Sequence, residues 1–203
     1  MSSTAHADAS SGGHTEYTSM GISSYKLAMW TFLGSECFFF GSLIGTYMAY
    51  RGKGTQGPYP MDVFSAQVTS ISTFDLLLSS LFMVLAVHYA KLGDLKNMCR
   101  WTYATMAGGA IFLCFQAYEF NHFVHEGLTI GGNLFGCTFY VLTGFHGTHV
   151  AVGVLLLGSL AWAGKRGHLK DLGDTTEVIG LYWHFVDIVW IVIFTLVYLM
   201  EYA

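Results

Sequence analysis

Apolar residues fall along this chain in five long blocks, Leu27–Tyr50, Val68–Ala90, Trp101–His122, Leu134–Ala163 and Val178–Met200, parted by short polar segments. Each block meets or exceeds the roughly 20 residues that an α-helix needs to cross the hydrocarbon core of a bilayer. The pattern predicts an all-α integral membrane protein, a bundle of five transmembrane helices over 27–50, 68–90, 101–122, 134–163 and 178–200. The fourth block spans about 45 Å at a rise of about 1.5 Å per residue, so its helix is expected to tilt or to project beyond the bilayer. The longest connection, 51–67, holds both prolines, Pro58 and Pro60. No soluble domain fits between the blocks. Residues 1–25 are rich in Ser, Gly, Ala and His, carry no Lys or Arg before Lys26, and read as a disordered polar tail. They lack the basic and apolar regions of a cleavable signal peptide, so the first helix is expected to serve as its own insertion signal.

Composition agrees with the pattern. Hydrophobic residues make up 53% of the chain and charged residues 11%, against about a quarter charged in soluble domains. No nucleic-acid partner is expected. Orientation follows from the cations. With five spans, Lys26, Lys91, Lys96, Arg100, Lys165, Arg166 and Lys170 share one side and only Arg51 and Lys53 the other. The positive-inside rule then places the N-terminus in the cytoplasm and the C-terminus outside. Cys37, Cys99, Cys114 and Cys137 show no paired, zinc-type or haem-attachment spacing, and read as small apolar fillers of buried positions.

Lipid offers helices no hydrophobic reason to associate, so close approach through small residues must contribute. The first block offers Gly34, Gly41 and Gly45, the last two as G-x-x-x-G; the fourth offers Gly136, Thr143, Gly144, Gly147 and Ala151. Gly41, Gly45, Gly144 and Gly147 are the expected packing positions, against this chain or a partner.

Glu36, Asp75, Glu119, His122, His146, His149, His184 and Asp187 put ionisable groups at membrane depth, where they are costly and normally face protein or a polar cavity. Three readings compete. Glu119-Phe-Asn-His122 has the E-x-x-H spacing of carboxylate-bridged di-iron bundles, but such a site needs a second copy and none is present. Carboxylates and imidazoles in a membrane can relay protons, but the repeats and broken helices of a transporter are missing. The third reading is structural or accessory, with the polar groups bonding helices to one another, to lipid headgroups or to a larger complex. The run YWHFVDIVW at Tyr182–Trp190 favours it, because His184 and Asp187 lie one turn apart and can bond a neighbouring helix together.

Four segments, SECFFFG at Ser35–Gly41, FQAYEF at Phe115–Phe120, GCTFYVLTGFHGTHV at Gly136–Val150 and YWHFVDIVW, stand in an order and spacing that resembles subunit III of the haem-copper terminal oxidases, the cytochrome c oxidase family. The likeness covers nearly the whole chain from about Lys26. It implies an integral subunit of a proton-pumping, O2-reducing complex in a bacterial plasma membrane, with no metal or cofactor of its own. Haem and copper would reside in partner subunits. Subunit I would be its direct partner, subunit II and phospholipids would also be present, and cytochrome c or quinol would be met only through the complex. The longer members have seven helices around a lipid-filled cleft; this chain matches the last five. The resemblance gives Glu36 the place of the family's carbodiimide-reactive intramembrane carboxyl, reactivity that fits a carboxylic acid in low dielectric. It leaves Glu119, His122, His146, His149, His184 and Asp187 as structural, lipid or interface residues rather than ligands, and no residue as catalytic. The cytochrome c branch is the expected one because Glu36 is a glutamate, with a quinol oxidase as the alternative. An independent transporter or di-iron membrane enzyme is the remote alternative.

Overall fold

The computed structural model describes residues 23–51, 66–128, 130, 134–169 and 171–201. Five α-helices account for almost all of them, with no strand among the described residues: α1 Ser24–Tyr50, α2 Ala66–Lys91, α3 Leu95–His125, α4 Leu134–Lys165 and α5 Leu172–Ile193. α5 runs on through a π-helical turn, Phe194–Tyr198, into a 3-10 turn, Leu199–Glu201. The segments Ser24–Tyr50, Thr69–Lys91, Gly136–Lys165 and Leu172–Tyr198 are long and apolar enough to cross a membrane. α3 falls outside that group because its 31 residues include Lys96, Arg100, Gln116, Glu119, Asn121 and His122. Most of the expected polar tail, and most of the 51–67 connection, lie outside the described residues.

Helices α3 and α5 start six residues before the apolar blocks that announce them. Capping explains both. Asp94 Oδ1 accepts the Asn97 backbone N–H at 3.1 Å, and Asp171 Oδ1 accepts that of Asp174 at 3.0 Å, so each aspartate satisfies one of the donors left free at a helix start. Between α2 and α3 the chain turns in three residues. Gly93 adopts φ +74°, the Asp94 N–H reaches back to the Tyr89 carbonyl and the Gly93 N–H to that of Ala90. This left-handed closure needs a residue without a Cβ. It throws α3 straight back along α2, which gives the most extensive helix pair in the bundle.

α5 packs against α1, α2 and α4; α3 fills the space between α2 and α4; α1 lies at the edge, chiefly on α4 and α5. Trp183 sits where α2 to α5 meet. Its indole lies between two glycines: a Cβ at Gly153 of α4 would come within 2.8 Å of the ring, and one at Gly109 of α3 would overlap it. Its Nε1 donates to Ser79 Oγ of α2 at 3.2 Å. At the far end, Arg51 Nη2 donates to the Met200 carbonyl at 2.7 Å and ties α1 to the C-terminal turn.

One expectation needs correction. Of the four free cysteines only Cys99 is buried; Cys137 is half-buried, and Cys37 and Cys114 are exposed on helix surfaces. Hydropathy cannot tell a core-facing from a lipid-facing thiol, because in a membrane both surroundings are apolar.

Candidate functional site

The face of α5 that holds the bundle together is the YWHFVDIVW run. Trp183, Asp187 and Trp190 follow at separations of four and three, which puts them on one side of the helix; all three are buried. Facing them, α2 supplies hydroxyls at similar intervals. Thr73 Oγ1 accepts from Trp190 Nε1 at 3.0 Å, Ser79 from Trp183, and Ser80 Oγ bonds His184 Nδ1 at 2.7 Å. Further along α2, the Thr69 hydroxyl donates to Glu119 Oε1 of α3 at 2.5 Å. One helix face thus binds α3 and α5 through four side-chain hydrogen bonds. Trp190 also stacks on the fully buried His146 ring of α4 at 4.8 Å, and Phe112 of α3 meets both rings edge-on.

A second polar site joins α1, α4 and α5. His149 Nε2 lies 3.2 Å from Glu36 Oε2, and His149 Nδ1 lies 2.8 Å from the Phe145 carbonyl oxygen. A carbonyl can only accept, so Nδ1 carries a proton. Nε2 and the carboxyl then hold one further proton between them, on either partner. The arrangement is fixed from outside the pair. Tyr182 of α5 donates its hydroxyl to the His149 carbonyl at 3.0 Å, and the Phe40 ring meets the imidazole edge-on at 4.9 Å. The Glu36 and His149 side chains keep 17% and 18% of their surface exposed, so the pair opens towards the outside of the bundle between α1 and α4.

The two histidines of TGFHGTH therefore part company. His149 serves the α1–α4 contact, whereas His146 points into the centre, where neither ring nitrogen has a hydrogen-bond partner among the described residues. Asp187 is also buried, and the Ser80 hydroxyl of α2 that bonds His184 faces its carboxyl too. The two ends of E-x-x-H diverge as well: Glu119 is buried and His122 exposed. Among the described residues no three His, Cys, Asp or Glu side chains converge as a metal site would require.

The glycines divide similarly. Gly147 abuts the Gln116 side-chain amide of α3, whose Nε2 donates to the Thr143 carbonyl at 2.7 Å. Around Gly34, Gly41, Gly45 and Gly144 a Cβ would meet nothing within 4 Å among the described residues. Sequence reasoning passed over the α2 hydroxyls, Gln116 and Tyr182. A partial signal for the hydroxyls was available: Thr69, Thr73 and Ser80 follow at separations of four and seven, although Ser70, Ser72 and Asp75 of the same block blur the stripe. Gln116 and Tyr182 had no such periodicity to betray them.

Comparison with known proteins extends these observations. The model of the family described as cytochrome c oxidase subunit III matches residues 4–202. The chain is 43% identical to cytochrome c oxidase subunit 3 of Bacillus sp. strain PS3, over 86% of this chain and 84% of that one. It is 41% identical to quinol oxidase subunit 3 of Bacillus spizizenii, over 86% of each. Cytochrome c oxidase subunit 3 of Bacillus subtilis is 40% identical, over 86% of this chain and 85% of its own.

Proposed function

This chain belongs to the cytochrome c oxidase subunit III family, and from that premise we propose that it is a non-redox core subunit of a proton-pumping haem-copper terminal oxidase in a bacterial plasma membrane. The complex passes electrons from cytochrome c to O2. Haem and copper belong to its partner subunits, of which subunit I is the direct neighbour and subunit II a further member. All five helices cross the membrane, α3 included, with the basic end of the bundle in the cytoplasm. α3 spans because its polar residues are turned inwards or kept at its ends: Glu119 is met by Thr69 and Gln116 by Thr143, while Lys96 and Arg100 sit at the basic end. The subunit's work is to brace subunit I, to organise phospholipid and to support proton uptake, with Glu36 as the intramembrane carboxyl concerned.

Likeness to named subunits over most of the chain carries this reading. The geometry supports the accessory character. Glu36, His149, Glu119 and His184 are spent on helix-to-helix bonds, one helix pair at a time. A quinol oxidase is the second reading, favoured by the 41% identity to the Bacillus spizizenii subunit.

Purification of the tagged chain from its native membrane, followed by a visible spectrum, tests the proposal. Co-purified haem and copper, reducible by cytochrome c, are expected. Reduction by quinol alone would move the chain to the second branch. A stable chain isolated without haem-bearing partners would refute the oxidase reading.

A further inference from the structure

Of the carboxyls at membrane depth, Asp75 of α2 is the one that neither the α5 face nor the Glu36–His149 site uses. Sixteen residues part it from Lys91 at the basic end of the same helix, about 24 Å at a rise of about 1.5 Å per residue. It therefore lies within a hydrocarbon core about 30 Å thick. Its stem is a single methylene, too short to carry the carboxyl out to the headgroups as a lysine stem would. A carboxyl at that depth is costly and is normally met by protein. This chain leaves it unmet: Asp75 Oδ2 is buried and has no hydrogen-bond partner among the described residues.

Asp75 sits in the outer seam between α2 and α3. It is half-buried, and a Cβ at Gly108 of α3 would come within 3.8 Å of its Oδ2. The helices approach closely here, since that same Cβ would lie 2.8 Å from Ser79 Cβ. Ile71, Asp75 and Leu78 follow at separations of four and three, and so do Ala104, Gly108 and Ile111, so each set forms one stripe along its helix. The two stripes flank the seam. Towards the basic end the Phe82 and Trp101 rings, 5.5 Å apart, close it. Ile71 is 61% exposed, Ile111 46% and Leu78 37%, so no helix among the described residues covers this face. The result is a shallow apolar groove, floored by a glycine at the level of its one carboxyl.

We propose that the α2–α3 seam docks a transmembrane helix of another subunit of the complex, and that this helix presents a basic or hydroxyl side chain as hydrogen-bond donor to Asp75. Complementarity selects the occupant. Acyl chains carry no donor at this depth and would leave the carboxyl unsatisfied. A helix arrives with its backbone already bonded and its side chains free to donate. Ala104 and Gly108 let it come close, as small residues do where helices pack in lipid. A second copy of this chain, docked through the same patch, would set Asp75 against Asp75, two acids with no donor between them. The inference rests on the proposed membership of a multisubunit complex and gives one of its contacts a face and a chemistry.

Photo-crosslinking of the intact complex in its native membrane tests it, with benzoylphenylalanine in place of Ile111. Irradiation should join the chain to one other subunit, through a membrane-spanning peptide that carries a donor side chain within about one turn of the attachment point. Asp75→Ala removes no hydrogen bond described within the chain and should lower the yield of this adduct about fivefold. Asp75→Asn keeps an acceptor oxygen and should retain most of it. An adduct with lipid alone, an adduct with a second copy of this chain, or no adduct would overturn the proposal. So would a yield indifferent to Asp75→Ala. Absence of haem from the cross-linked assembly would sink the oxidase reading alone, and the peptide found in the adduct would still decide this one.

Discussion

Glu36 and His149 show how one residue's surroundings define a pair. Because the Phe145 carbonyl claims the Nδ1 proton, the other ring nitrogen and the carboxyl must share a single proton if they are to bond at 3.2 Å. An infrared band of the Glu36 carboxyl, identified by its loss in Glu36→Gln, should therefore shift in His149→Phe; a band indifferent to that change would contradict the pairing. Asp94 is the second residue with a pH signature, and it lies in the turn outside the membrane. The Asn97 backbone N–H, helped by the Asn97 side chain, holds its carboxyl below the usual carboxylate range. A group with a lowered folded pKa adds stability that is full above its ordinary value of about 4 and is lost as pH falls through the lowered one. Acid should thus weaken the start of α3. Asp94→Asn keeps a capping oxygen but does not titrate, so its thermal unfolding in detergent should depend less steeply on pH below about 4. Equal slopes for the two proteins would refute the cap as the source.

α5 is the element on which the others depend, and its role is packing as much as hydrogen bonding. Trp183 fills the gap that Gly109 and Gly153 leave between α3 and α4. Trp183→Ala should cost about 3–5 kcal/mol of stability, by the cavity it opens, whereas Ser79→Ala removes the bond to its indole and the hydroxyl's own bond to the Leu76 carbonyl and should cost about 1 kcal/mol. Unfolding in a denaturing detergent would rank the two, and the opposite order would deny the wedge. Gly147→Leu drives a side chain into the Gln116 amide and breaks its bond to Thr143; overpacking of this kind costs about 1–3 kcal/mol. It should part α4 from α3 and lower the yield of subunit that co-purifies with its complex. Unchanged yield and unchanged melting would count against the contact.

At the scale of the whole molecule, the chain is a bundle with an unequal periphery. α2 to α5 close around Trp183 and Trp190, while α1 is held from one side and turns Gly34, Gly41, Gly45 and the strongly exposed Phe38 outwards. The helices, their order and the polar character of the YWHFVDIVW face were legible in the sequence, because block length and helical spacing are local properties. So was the likeness to an oxidase subunit, which depends on motifs in order. The partners were not legible. His146 and His149 are three residues apart, yet one turns to Trp190 and the other to Glu36, because a small difference in angle around α4 decides which neighbouring helix each ring meets. The same is true of the cysteines and of the two glycine stripes. In water a buried position is marked by being apolar, but in a membrane both faces of a helix are apolar. The sequence by itself determined which segments are helices and what chemistry they carry. Only the packed bundle decided which faces look inwards, since that choice is made by close fit and hydrogen bonding between helices far apart in the chain.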